Sequence, residues 1–113
     1  LCGSGYPDLV LANDFGVSEY YCNKEGKRFE EVGAATGIGD RPKSGMSINF
    51  GDIFNTGWLA MYITNISDRH GNLNQGNNLW VPRKHEKGVP AIYDNMATDL
   101  RLATGGWSWG AQF

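Results

Sequence analysis

The chain has 113 residues, 41% of them hydrophobic and 19% charged, which places it among globular domains and outside disordered and membrane-spanning chains. Ten basic residues against twelve acidic ones give a formal net charge of -2, and the basic residues are scattered, which argues against a nucleic-acid or anionic-membrane surface. The length allows one small domain, and 16 glycines with 12% aromatic residues favour short strands joined by tight turns, so the expected class is all-β.

The first residues, Leu1-Cys2-Gly3-Ser4-Gly5, carry no basic and apolar leader pattern and no Met, and read as the interior or mature part of a longer product. No apolar run approaches the roughly 20 residues needed to span a bilayer. Cys2 and Cys22 match no zinc or thioredoxin spacing, which leaves either a Cys2–Cys22 disulfide or two ordinary small buried residues.

An internal repeat then organises the chain. Gly5-Tyr6-Pro7-Asp8-Leu9-Val10-Leu11-Ala12-Asn13 aligns with Gly57-Trp58-Leu59-Ala60-Met61-Tyr62-Ile63-Thr64-Asn65, 52 positions later. Glu19–Asn23 aligns with Asn78–Pro82, Phe29–Val32 with Tyr93–Met96, and Ser44–Phe50 with Trp107–Phe113. The units therefore run about 1–50 and about 51–113, each incomplete at its outer end. Four strands are predicted in the second unit, at Met46–Phe50, Leu59–Thr64, Asn78–Val81 and Ala91–Met96, between turns rich in Gly, Asn and Asp. Four strands per repeat is the size of a propeller blade. The stretch Phe29–Gly37 reads either as strand or as one short helical turn.

At Gly51-Asp52-Ile53-Phe54-Asn55-Thr56-Gly57-Trp58-Leu59-Ala60-Met61-Tyr62-Ile63-Thr64-Asn65 the chain resembles an FG-GAP (VCBS-type) repeat. The blocks Ala12–Gly16, Gly45–Ser47, Asn77–Trp80 and Gly106–Ala111 are similar to the ASPIC/UnbV, cartilage-acidic-protein-like branch of exported propellers. The resemblance implies about two four-stranded blades of a β-propeller, an extracellular or periplasmic location, and partners that are proteins, the remaining blades of a larger ring, or glycans. It also implies a Ca²⁺ loop between the first two strands of each blade, with carboxylates at loop positions 1, 3, 5 and 9 and a carbonyl at 7.

A hard cation needs six to eight oxygens at about 2.3–2.6 Å. The second loop offers Asp52, Phe54, Thr56 and Ala60 at the side-chain positions, and the first offers Cys2, Ser4 and Asp8 at positions 3, 5 and 9. Both loops read as degenerate. The metal candidates are Asp52, Thr56 and Asp8; the alternative is that the two aspartates cap their turns by accepting backbone N–H bonds.

Among other residues, His70 and His85 fall in polar stretches with no second His or Cys at ligand spacing, and are expected as exposed loop histidines. Ser4, Ser47 and Ser108 form no nucleophile elbow, and the short Gly-x-Gly stretches lack a phosphate-loop context. The four tryptophans suit inter-blade packing, with Trp58, on a turn, the candidate to face a ligand such as a sugar ring. Asn65-Ile66-Ser67 satisfies the glycosylation pattern. Two blades cannot close a ring, so their outer faces call for further blades, other copies or other chains. The expected function is a non-catalytic interaction scaffold. The alternatives are an accessory region of a secreted carbohydrate-active enzyme and a structural subunit of a large assembly.

Overall fold

The computed structural model describes residues 1–67 and 76–113. His70, and most of the Asn72–Asn78 stretch where, as at Trp58, bound saccharide would favour the carbohydrate-enzyme alternative, lie outside them. Strands β1 (Leu9–Leu11), β2 (Glu19–Lys24) and β3 (Arg28–Glu31) are followed by a four-residue helix, α1 (Gly33–Thr36). Next come β4 (Gly45–Gly51), β5 (Ala60–Asn65), β6 (Asn78–Glu86) and β7 (Val89–Asn95). Among the described residues, β1-β2-β3 form one antiparallel sheet and β4-β5-β6-β7 a second. The protein is all-β. The sheets divide before Gly45, and β4, which covers the Met46–Phe50 strand predicted for the second blade, pairs into the second sheet.

Local sequence explains the turns. Glu25 and Gly26 both take positive φ, 57° and 72°, and Lys27 N donates to Lys24 O at 3.0 Å, the mirror-image turn that matches strand twist in a tight hairpin. The Phe29–Gly37 stretch divides into β3 and α1. Gly37 ends α1 at φ 92°, where a Cβ would also lie 3.0 Å from Tyr93 O, so only glycine fits. Strand β6 is longer than the predicted Asn78–Val81, because the two-residue Lys87-Gly88 turn lets Arg83–Glu86 continue the hairpin with β7. The register slips between Pro82 and Lys84, where proline has no N–H to give the ladder.

Strand alternation turns Val10, Tyr20 and Cys22 toward the second sheet and Met61, Ile63, Trp80 and Tyr93 toward the first, and these residues form the main core with Val32 and Ile38. A smaller core of Ala60, Leu79, Ala97 and Ala103 covers the far face of the second sheet, with Tyr62, Val81 and Met96 half-buried around it.

Similar hydrogen bonds occur at several of the residues aligned in the sequence. Val32 N donates to Tyr20 O at 2.8 Å, and at the aligned positions Met96 N donates to Leu79 O at 2.8 Å. Thr36 N donates to Val32 O at 3.0 Å, and Leu100 N to Met96 O at 3.0 Å. Gly33 N is accepted by the Glu31 side chain, and Ala97 N by that of Asn95.

Candidate functional site

Asp8 stands just before β1, where the chain leaves the glycine-rich opening turn. Its two carboxylate oxygens accept the Cys2 amide at 2.7 Å and the Asn23 amide at 2.8 Å, and its side chain is buried. The Leu1 ammonium lies 3.6 Å away. Beside it Cys2 and Cys22 form a disulfide, which ties the opening turn to β2. The Tyr20 hydroxyl is 3.0 Å from Cys2 Sγ, and burial, reinforced by the Asp8 charge, pushes its pKa far above the ordinary phenol value. Tyr93 is raised for the same two reasons. A carboxylate that accepts two backbone amides thus sits beside two buried phenols whose pKa values are pushed well above the ordinary value.

The sulfurs of Cys2 and Cys22 and an Asp8 oxygen lie within 4.8 Å of one another. Metal binding needs thiolates, and the disulfide consumes both sulfurs, so the oxidised cluster offers a cation one carboxylate already shared by two amides.

Asp52 opens the second loop. Its Oδ1 accepts Thr56 N at 2.8 Å and its Oδ2 accepts Gly57 N at 2.7 Å, with Thr56 Oγ1 at 3.4 Å. These backbone donors hold the carboxyl below the ordinary aspartate pKa. The structure therefore brings Asp52 and Thr56 together and keeps Asp8 in the other sheet's loop, and in both loops the carboxylate serves the turn's own amides.

Trp58 ends the Asp52 loop and is 44% exposed. One ring face is taken: it stacks on His85, with centroids 3.5 Å apart and planes 16° from parallel. His85 is a half-buried β6 residue rather than an exposed loop histidine, and its Nε2 lies 2.9 Å from Leu1 O. Nearby, Gly88 N donates to Cys2 O at 3.0 Å, so the β6–β7 hairpin grips the opening segment. Sequence reasoning missed this contact, although the Lys87-Gly88 turn signal would have placed His85 on a strand. A cavity of about 330 Å³ lies beside it, lined by Ser4, Asn23, Lys24, Glu25 and Lys87 among others.

Of the other tryptophans, only Trp80 is buried; Trp107 and Trp109 are 69% and 61% exposed, more open than Trp58. Asparagines at one end of the second sheet are spent internally. Asn77 Oδ1 accepts Asn65 N at 2.9 Å, Asn95 Nδ2 donates to Asn78 Oδ1 at 2.9 Å, and Lys43 Nζ reaches the same Oδ1 and Gly76 O. Burial lowers the Lys43 pKa.

No family model matches this chain, and no curated protein or solved structure is significantly similar to it. No described helix is long and apolar enough to cross a membrane. The buried disulfide is compatible with an oxidising compartment.

Proposed function

We propose that the chain is a pair of adjacent blades of an exported FG-GAP-type β-propeller, of the ASPIC/UnbV-like branch, serving as a non-catalytic scaffold for protein or glycan partners. The observation that carries the reading is the repeated architecture: two antiparallel sheets packed face to face, with the same backbone bonds at aligned residues Val32 and Met96. The disulfide supports export. The carboxylates of Asp8 and Asp52 act as turn caps in this reading, and calcium has no structural role in these two loops.

The scaffold role is tested by incubating the folded protein with panels of glycoside, ester and phosphoester substrates and, separately, with arrayed glycans and candidate extracellular proteins. Saturable binding without chemical change is expected. Turnover that disappears on denaturation would overturn the reading in favour of an enzyme.

A further inference from the structure

We infer that Cys2, Cys22 and Asp8 form a redox-gated site for a soft divalent cation, zinc by preference. Oxidised, the two sulfurs are bonded to each other; reduced, they close with the carboxylate on the metal. The inference is independent of the scaffold reading, since it uses one side-chain cluster and no partner surface.

The ligand atoms are already together. The two sulfurs and an Asp8 oxygen lie within 4.8 Å of one another. Thiolates with one carboxylate suit zinc rather than the hard cations, and three protein ligands leave a fourth position for water. Two thiolates on one tetrahedral zinc stand about 3.8 Å apart when each Zn–S distance is about 2.3 Å. The Cα atoms of Cys2 and Cys22 are 6.0 Å apart, a span from which turning the side chains reaches that spacing with the backbone in place.

The frame that holds these ligands does not depend on the bond between the sulfurs. Asp8 accepts the amide of Cys2 at 2.7 Å and that of Asn23, the residue after Cys22, at 2.8 Å, so the carboxylate is fastened beside both cysteines. Cys2 O accepts Gly88 N at 3.0 Å, and Cys22 stands in the β2–β3 ladder opposite Glu30. Each carboxylate oxygen, after one amide bond, keeps a lone pair for a metal. The Tyr20 hydroxyl, 3.0 Å from Cys2 Sγ, donates to the disulfide sulfur and is placed to donate to a metal-bound thiolate, the outer contact that orients such ligands.

Charge favours the same site. The Asp8 side chain is 3% exposed, and among the described residues no side-chain cation pairs with it; its ion partner is the Leu1 ammonium at 3.6 Å. Buried charges are ordinarily paired or bound to metal. A divalent cation on two thiolates and a carboxylate leaves one net negative charge, the same as the carboxylate beside a disulfide. Metal binding therefore adds no charge to the buried cluster.

A dithiol supplies the two electrons of the switch. One of its sulfurs attacks the Cys2–Cys22 bond, its second displaces the mixed disulfide, and it leaves as a cyclic disulfide while Cys2 and Cys22 become thiols. Zinc then replaces the two thiol protons, which pass to solvent. The cavity of about 330 Å³ gives access, since Gly3, Ser4, Cys22 and Asn23 all line it. An oxidising compartment thus keeps the staple, and a reducing one opens the metal site.

The test reduces the 113-residue protein with a phosphine, which leaves as its oxide, and titrates it without oxygen, first with Co²⁺ and then with Zn²⁺. A thiolate-to-cobalt charge-transfer band should saturate at one ion per chain and vanish as zinc displaces cobalt. X-ray absorption at zinc should show two sulfurs at about 2.3 Å and oxygen at about 2.0–2.2 Å. Oxidised protein should show no band, and Asp8→Asn should bind roughly tenfold or more weakly. Should that variant fail to fold, the Asp8 carboxyl ¹³C resonance of the reduced wild type must move when zinc is added. Should the reduced wild type itself unfold, one equivalent of zinc must restore its near-ultraviolet circular dichroism. Absence of the band, four sulfurs shared between two chains, equal affinity without the Asp8 carboxylate, or an unmoved Asp8 resonance would each overturn the site. So would reduced protein that zinc fails to refold.

Discussion

Trp58, in the loop before β5, and His85, on β6, lie flat against each other, with ring centroids 3.5 Å apart. The stack links the Asp52 loop to β6, and the His85 Nε2 contact with Leu1 O carries the link on to the opening segment. Removing it should loosen three segments together. His85→Ala is expected to destabilise the protein by about 1–3 kcal/mol, the sum of an aromatic pair and a hydrogen bond. Trp58→Ala should cost only the stacking part. Thermal melts of the two variants and the double variant check this, and additive losses would show that the stack is energetically idle.

The disulfide and Asp8 fix the same turn by different means. Reduction, or Cys22→Ser, should cost about 2–5 kcal/mol. Asp8→Ala should cost about 1–3 kcal/mol for each amide it abandons, those of Cys2 and Asn23. Millimolar Ca²⁺ or a chelator should leave the melting temperature of the oxidised protein unchanged. A clear rise with Ca²⁺ would mean that one of the loops opens to bind it.

How far the sequence discloses this arrangement depends on whether the signal is local. The alternation in Leu59–Thr64 and the aromatic pattern of Glu19–Asn23 place β5 and β2 within a residue or two. Arg83-Lys84-His85-Glu86 has no such alternation, because the tip of a hairpin is held by its turn and its partner strand rather than by a buried face. The Cys2–Cys22 bond depends on the opening turn folding back over β2, which spacing alone does not state. Trp107 and Trp109 have the aromatic pattern of strand residues, yet they are 69% and 61% exposed, because burial depends on packing against distant segments that local pattern does not state.

Acid should selectively weaken the Asp52 loop. Because its folded-state pKa is depressed, Asp52 contributes stability that is present above the ordinary carboxyl pKa of about 3.9 and is lost as pH falls through the lower folded value. Asp52→Asn keeps one acceptor oxygen, so it can serve Thr56 N or Gly57 N but not both. The variant should melt below the wild type near neutral pH, and the two curves should converge in strong acid. A gap that persists there would assign the difference to packing rather than charge.

Asn65 satisfies a glycosylation pattern but has no outlet to solvent. The residue is 1% exposed, and its Nδ2, the atom to be glycosylated, donates to Gly76 O at 3.1 Å and to Ile63 O at 3.3 Å. A glycan there would require the end of β5 to leave the sheet, together with the bond from Asn65 N to Asn77 Oδ1. Protein produced through a eukaryotic secretory pathway should therefore emerge unmodified at Asn65, as read by intact mass with and without glycosidase. Asn65→Gln, offered as a harmless sequon knockout, should instead destabilise the fold by about 1–3 kcal/mol, because the longer side chain overpacks a filled site. Folded protein with Asn65 fully occupied would show that the β5–β6 end of the sheet opens before or during folding, and would displace the buried asparagine network from its structural role.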